Sequence, residues 1–464
     1  MKTATLGSSL SLAVSALASR YAAQCGKAEV ITRDIAIIGG GATGTYAAIN
    51  LKDQGKSVVV VERKGELGGH CATYHDPATG TPINYGLQVY YDAPVSRAFF
   101  TRLNITFGTG IFPTSREPVY IDFRDGSILA NYSIPTLNDD YVRELHKYPY
   151  LENGIELPDP VPEELLLTWS EYMKKFNITD DAYSTYSRPA VAGDLTQVLS
   201  LFVFNNLNTV MIEEEVEGRS IANVNGDHAE LYRNALAELG SDVLLNSTVI
   251  TGQRGWTASE GVRLCVNTPQ GVKQIVANQL VFAAPPVLDN MRPFGLDKHE
   301  EKIISKFAGG DYYTGIVTNM GLPTTNSYVN RGVNTESNVA ALPGAVMFNP
   351  TPVEGTYYYW YSALNPMTQA EVEAATRSTL KRLQVSVAGA NTAAEPEFVA
   401  FNSHTPLHPS ADANAIRRGV YRDMYDLQGY RNTWYTSSLM VTGSPQLWNT
   451  TSLLLPRIIA ASEK

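Results

Sequence analysis

The run Gly39-Gly40-Gly41-Ala42-Thr43-Gly44 constrains this chain more than any other feature. It fits G-x-G-x-x-G and follows the short apolar run Ile35-Ala36-Ile37-Ile38. After it, Thr45 to Gly55 has helix-like spacing, with Tyr46, Ile49, Asn50 and Leu51 ahead of a glycine stop. Val58 to Val61 is then a β-branched run of the kind a parallel sheet covered on both faces requires. Strand, glycine turn, helix and strand over Ile31–Glu62 make a βαβ unit. Gly39 permits the tight turn, Gly41 lets the backbone approach a pyrophosphate, and Gly44 lets helix and strand pack closely. Ala42 and Thr43 open the helix, whose free N–H groups and positive dipole end suit phosphates. Glu62, about 20 residues on and at the end of the second strand, can accept ribose hydroxyls. The combination predicts a dinucleotide site.

NAD and FAD share this fingerprint, so the blocks that follow have to separate them. Behind Glu62 stands Arg63-Lys64-Gly65-Glu66-Leu67-Gly68-Gly69-His70, an acidic residue, a short loop and a glycine pair. Ile83-Asn84-Tyr85-Gly86 comes next, then Asn246-Ser247-Thr248-Val249-Ile250 and Leu280-Val281-Phe282-Ala283-Ala284-Pro285-Pro286. A last block runs from Asn432-Thr433-Trp434-Tyr435 through Gly443 to Ile459. In order and spacing these blocks resemble the flavin amine oxidase and phytoene desaturase superfamily. The resemblance implies FAD as cofactor, with the Gly68 and Gly69 backbone beside the phosphates and isoalloxazine and with Gly86 beside the flavin. It also implies that Val249 meets adenine through its backbone, and that Trp434, Gly443 and Asn449 belong to the closing strand and helix over the flavin pyrimidine. Glu66 and His70 depart from the common pattern, which often has arginines there. His70 could then touch the flavin or attach to it, with Cys71 the second attachment candidate. The stretch Leu427-Gln428-Gly429-Tyr430-Arg431-Asn432-Thr433-Trp434-Tyr435 is similar to two narrower groups: fungal flavoproteins related to β-cyclopiazonate dehydrogenase, and a bacterial flavin-dependent isomerase of polyunsaturated fatty acid double bonds.

The fold class expected is α/β, a discontinuous Rossmann-type FAD-binding domain with a mixed α+β substrate domain. Residues 31–95, 224–290 and 400–464 are read as the FAD-binding domain, and 96–223 and 291–399 as the substrate domain. Helices are expected over Glu163–Phe176, Asp227–Leu239 and Thr368–Leu383, the last with Thr368 and Glu371 forming a capping box. Strands are expected at Val243–Leu245, Val262–Val266, Val272–Val276, Gln279–Ala283 and Tyr357–Tyr361.

A length of 464 residues suits two domains, and a net charge of -10 without a basic run leaves no phosphate-backbone footprint, so nucleic acid is excluded as a partner. Lys2, the run Leu6–Leu17 and the small residues of Ala16-Leu17-Ala18 read as a signal peptide over residues 1–18. No later stretch of ~18 uncharged apolar residues follows, so no transmembrane segment is expected. Sequons at Asn104, Asn131, Asn177 and Asn246 agree with a secreted glycoprotein. The sequon at Asn449 conflicts with a place beside the cofactor, which would leave it no room for a glycan. With 3 cysteines, at least one is free, and a Cys25–Cys71 bridge is a possible pairing.

No second glycine fingerprint is present, so a bound NADPH domain is not expected, and hydride is expected to come from the organic substrate. Molecular oxygen is the obvious final acceptor outside the cell, and a dehydrogenase using another acceptor is equally compatible. A water-free pocket for a small apolar substrate can be built from aromatic rings, and Tyr312, Tyr358 and Trp360 are the candidates, the last two inside Tyr357-Tyr358-Tyr359-Trp360-Tyr361. The strand expected over Phe307–Val317 has no lysine, so the lysine that many amine oxidases carry there cannot be transferred. His404 and His408 flank Pro406 and so do not share a helix face as metal ligands; no metal is expected. The sequence therefore predicts a secreted FAD-dependent oxidase or dehydrogenase of a medium-sized apolar metabolite, with oxidative cyclisation as one form. A double-bond isomerase without net redox is the alternative on the same scaffold, and a non-catalytic flavin-binding protein the alternative of another class.

Overall fold

Ile35–Ile38 form the end of a strand that starts at Glu29; Ile35, Ala36 and Ile37 are wholly removed from water and Ile38 is partly buried. This strand pairs in parallel with Val58–Val61, in the register Ile35↔Val58 to Ile38↔Val61. All of Val58–Val61 is buried, which is worth ~1.5–3 kcal/mol for each fully buried valine and explains why the strand reads as a continuous apolar run. The computed structural model describes residues 25–464 apart from 89, 111–115, 134–138, 180–184 and 186–196. The expected signal peptide over residues 1–18 lies outside these.

The strands form two large sheets. The first runs Thr248–Arg254, Val262–Thr268, Gly271–Phe282, Glu29–Ile38, Val58–Val61, Val243–Leu244, with Thr433–Tyr435 also against Gly271–Phe282. The separate strands expected at Val272–Val276 and Gln279–Ala283 are one strand, Gly271–Phe282. Its first half completes an antiparallel meander with Val262–Thr268, and its second half lies in parallel beside Thr433–Tyr435. The helix Ala42–Asp53 lies on this sheet and packs with the C-terminal helix Ser444–Ser462, where Trp448 Nε1 donates to the Ala42 carbonyl at 3.1 Å. This is the discontinuous Rossmann-like unit.

The second sheet runs Glu397–Ser403, Ala308–Thr318, Thr356–Ala363, Gly344–Pro350, Asn326–Asn330, Glu117–Ile121, with Leu407–Ser410 also against Ala308–Thr318. One face packs on the helix Gln369–Ser386, whose N-terminus carries the expected Thr368–Glu371 capping box. Residues 397–410 therefore belong to this sheet, and the boundary expected at 400 moves beyond Ser410. The expected helix Glu163–Phe176 is interrupted: a 3-10 turn over Glu163–Leu166 precedes the α-helix Trp169–Phe176, because Thr168 leaves helical geometry to form a second capping box with Glu171.

The cysteines correct another expectation. Cys25 bonds to Cys265, with Cα atoms 5.7 Å apart. Cys71 is free and buried, and its sulfur accepts a hydrogen bond from the Tyr90 hydroxyl at 3.7 Å. The Cys25–Cys71 pairing is thus replaced by one that ties the start of the first strand to the meander. Among the described residues no helix is long and apolar enough to cross a membrane.

Candidate active site

A cavity of about 890 Å3 begins at the glycine turn of the first sheet and ends against the second sheet. At its near end the backbone does the shaping. Gly39 has φ +100°, a conformation that L side chains avoid. A Cβ on Gly44 would stand 1.8 Å from the Gly39 carbonyl oxygen, so only glycine lets the helix start so close to the strand. A Cβ on Gly41 would meet only Gly69 Cα, at 3.7 Å, and otherwise project into open space. Gly41 also caps the helix with no side-chain hydrogen bond, which leaves the first-turn N–H groups of this end for a ligand. Ala42 and Thr43 line the same wall, and the Thr43 hydroxyl donates to the Thr436 carbonyl at 2.9 Å.

Glu62 is buried at the end of its strand. Its carboxylate accepts from the Gly40 and Lys64 N–H groups, each at 2.7 Å, which aims it at the cavity and leaves lone pairs for hydroxyls. Arg63 lines the cavity from an exposed position. Gly68 and Gly69 pass over the glycine turn at φ +124° and +60°, and a Cβ on Gly69 would come within 2.9 Å of Gly41 Cα. Gly86 has a different constraint: a Cβ there would lie 2.0 Å from the His70 carbonyl oxygen, so glycine is needed for the chain to pass. Val249 lines the wall at the point where the register of its strand shifts.

Other expected contacts separate. Gly443 lines the cavity at the start of the C-terminal helix, whereas Asn449 lies in its second turn, half-buried, and donates to the Asn153 side chain at 3.4 Å. Trp434 is also off the cavity: it points into the core under the first sheet and donates from Nε1 to Gln279 at 2.9 Å. Both positions follow from local periodicity, since the strand alternation of Thr433–Tyr435 and the pitch of the helix turn these side chains away.

The aromatic strand divides in the same way. Tyr357, Tyr359 and Tyr361 face the helix Gln369–Ser386. Trp360 and Ser362 face the cavity, beside their partners Thr314 and Tyr312 on the neighbouring strand. Tyr358 shares that face but packs with Ile83 and Ile316, stacking on Trp360 at 5.6 Å without lining the cavity.

Sequence reasoning named His70 but missed the basic side chains that gather with it here. Lys64 is largely buried and donates to the Gly69 carbonyl at 2.9 Å and to Asn402 Oδ1 at 2.7 Å. Burial lowers its pKa, with the Arg63 charge adding to the effect. His70 stacks on His404 with ring centres 4.1 Å apart, and His408 lines the same wall. Burial pushes the pKa of His70 down to about 3 and that of His408 to about 4, and holds His404 well below its usual range. All three rings are neutral near pH 7. Their grouping depends on Glu397–Ser403 and Leu407–Ser410 folding beside Ala308–Thr318, which no local motif announces. Among the described residues no cluster of three or more His, Cys, Asp or Glu side chains could hold a metal ion.

The glycine turn that a Cβ would fill, the open helix N-terminus and the oriented Glu62 fit the pyrophosphate and ribose of a dinucleotide, and the elongated cavity leaves room for its ring system beyond. The fold and the site define an FAD-binding oxidoreductase of the Rossmann type. Residues 37–103 match the NAD(P)-binding Rossmann-like domain family. The chain is 50% identical over 452 residues to the FAD-dependent oxidoreductase dbaF of Emericella nidulans, covering 97% of this chain and 96% of that one. It is 31% identical over 443 residues to β-cyclopiazonate dehydrogenase of Aspergillus oryzae, covering 93% and 94%. Among solved structures, the CLA-producing fatty acid isomerase from P. acnes shares the fold at 17% identity, with a TM-score of 0.71 and coverage of 92% and 98%. A putrescine oxidase does so at 16% identity, TM-score 0.62 and coverage of 93% and 100%. The chain belongs to the family of FAD-dependent oxidoreductases that includes these fungal enzymes. It is a redox enzyme acting on an organic substrate.

Proposed function

We propose that this enzyme oxidises a medium-sized apolar metabolite at a C–H next to nitrogen or to an activated carbon, with oxidative ring closure as one form, and passes the electrons to molecular oxygen. One observation carries the reading: a single cavity is lined by the glycine turn at one end and by Tyr312, Thr314 and Trp360 at the other, so cofactor and substrate share a chamber. Bound FAD supplies a two-electron acceptor for hydride. The residues of this chain do the rest. Trp360 and Tyr312, which line the substrate end, orient the substrate and exclude water. His70, His404 and His408, all neutral, add no charge beside the reacting carbon. The name β-cyclopiazonate dehydrogenase, borne by a relative of similar length, supports dehydrogenation of a secondary metabolite.

The same proposal includes export. The Cys25–Cys265 disulfide suits an oxidising compartment. Asn104, Asn131, Asn177 and Asn246 are all exposed, as glycan acceptors must be.

The test starts from purified protein and its visible spectrum. A flavin band bleached anaerobically by a candidate substrate and restored by air, with one oxygen consumed for each product formed, is the expected result. Conversion of substrate by a double-bond shift, with no uptake of oxygen or of any artificial acceptor, would overturn it in favour of isomerisation. Acid precipitation of the same sample shows whether the colour stays with the protein.

A further inference from the structure

The charged side chains that line the cavity all belong to its nucleotide end. Among the described residues they are Glu62, Arg63, Lys64 and Asp289. Glu62 is engaged by backbone N–H groups, and Lys64 by Gly69 and Asn402. Asp289 pairs with Arg292 at 3.1 Å, and both are highly exposed. The wall made by the second sheet and the helix Ser200–Asn206 carries no formal charge of its own, while the Lys64 ammonium reaches it through Asn402 and its charge is felt at His404. The wall is not purely apolar either. Thr314 Oγ1, Asn206 Oδ1 and His404 Nε2 are buried and have no hydrogen-bond partner among the described residues. Buried polar atoms are paired in the great majority of proteins, because an unpaired one forfeits its hydration for nothing. Gln88 Nε2, Thr405 Oγ1 and His408 Nδ1, whose residues also line the cavity, are unpaired too among the described residues, and six such atoms around one chamber call for ligands that supply the missing partners. Thr314 and Asn206 stand on substrate-domain elements, away from the glycine turn.

We infer that the reacting end of the substrate is an uncharged hydrogen-bonding group, a carbonyl, a hydroxyl or a ring N–H, seated against Thr314, Asn206 and His404, and that an ammonium end is rejected. The inference rests on the oxidoreductase reading above and narrows its substrate class. Rejection has a simple cause. An ammonium entering this wall loses its hydration, meets no opposite charge and is repelled by Lys64, whose charge is felt at His404. A neutral group loses less and recovers hydrogen bonds, and sites built to hydrogen-bond discriminate strongly against ligands that leave them unpaired.

Benzyl alcohol and benzylamine are near-isosteric probes, neutral and cationic respectively at neutral pH. Each is titrated into the purified holoenzyme, with binding read as a perturbation of the visible flavin spectrum. The alcohol is expected to half-saturate at a concentration at least about tenfold lower than the amine. Thr314→Val is expected to weaken the alcohol about fivefold while leaving flavin content and thermal midpoint unchanged, and Asn206→Leu provides a second variant should the first fail to fold. Three results overturn the inference: tighter or equal binding of the amine, no perturbation by the alcohol at saturation, or alcohol binding that is indifferent to both substitutions. A purified protein without flavin overturns the oxidoreductase reading instead, so the two failures are distinguishable.

Discussion

The two ends of the cavity are built by different means. At the nucleotide end, consecutive residues from Gly39 to Gly44 shape the wall with backbone, and a side chain at Gly44 would collide with it. At the substrate end, side chains from four strands far apart in the sequence meet, among them Thr314, Asn349, Trp360 and Ser403. The first end tolerates almost no change in composition and binds a chemistry common to many enzymes. The second end depends on which side chains the sheet happens to align, so it can change with the substrate while the glycine turn stays the same. The contrast teaches that cofactor binding and substrate choice are physically separable in this molecule.

The largest effect should come from breaking the nucleotide end. Gly44→Val puts a Cβ 1.8 Å from the Gly39 oxygen and 3.1 Å from Ala283 Cβ, so the expected result is insoluble or colourless protein. Gly41→Ala sharpens the comparison, because its Cβ meets only Gly69 Cα at 3.7 Å. The fold should survive with an unchanged thermal midpoint of the apoprotein, while FAD affinity falls roughly tenfold, the equivalent of ~1.4 kcal/mol. A normal FAD affinity in that variant would show that the Gly41 backbone does not approach the cofactor.

A smaller effect is expected from acid. His408 and His70 drop from an ordinary value of 6.5 to about 4 and about 3, because burial disfavours their charged forms. The unfolded chain therefore binds more protons than the native one between these values. Stability is fully present above 6.5 and is lost as pH falls toward about 4 and about 3, by up to ~1.4 kcal/mol per pH unit for each ring. Urea midpoints of the holoenzyme measured near neutrality and near pH ~5 should fall with acid, and His408→Asn should flatten that slope. An unchanged slope would mean that the ring is not held neutral.

The smallest effect is expected at Asn449, which sits in the helix that closes the cofactor end but does not line the cavity. Asn449→Gln should leave flavin content unchanged and shift stability by less than ~0.5 kcal/mol. A loss of flavin there would restore Asn449 to the cofactor site.

These comparisons also mark how far the amino-acid order could be read. The βαβ unit was legible because its turn, its helix spacing and its acidic end are all local, and Gly39, Gly41, Gly44 and Glu62 lie as the spacing implies. Trp434 and Asn449 were assigned to the right elements but to the wrong side, since one residue of strand or a fraction of a helical turn reverses a side chain. The tyrosine strand was found as a strand, while the choice of Trp360 and not Tyr359 for the cavity was made by its register against Thr314 and Met347. His404 and His408 could be excluded from a shared helix face, yet their meeting with His70 had no local signal.

By itself the sequence determined the cofactor class, the fold class and the position of the glycine turn, because these depend on backbone conformations and periodicities that neighbouring residues impose. Only the tertiary structure decided that Cys25 pairs with Cys265, that residues 397–410 join the substrate sheet, and that six unpaired polar atoms gather around the one cavity. Those features arise from strand pairing between distant segments, where the partner is selected by burial and hydrogen bonding across the whole core and not by any pattern within a window of sequence.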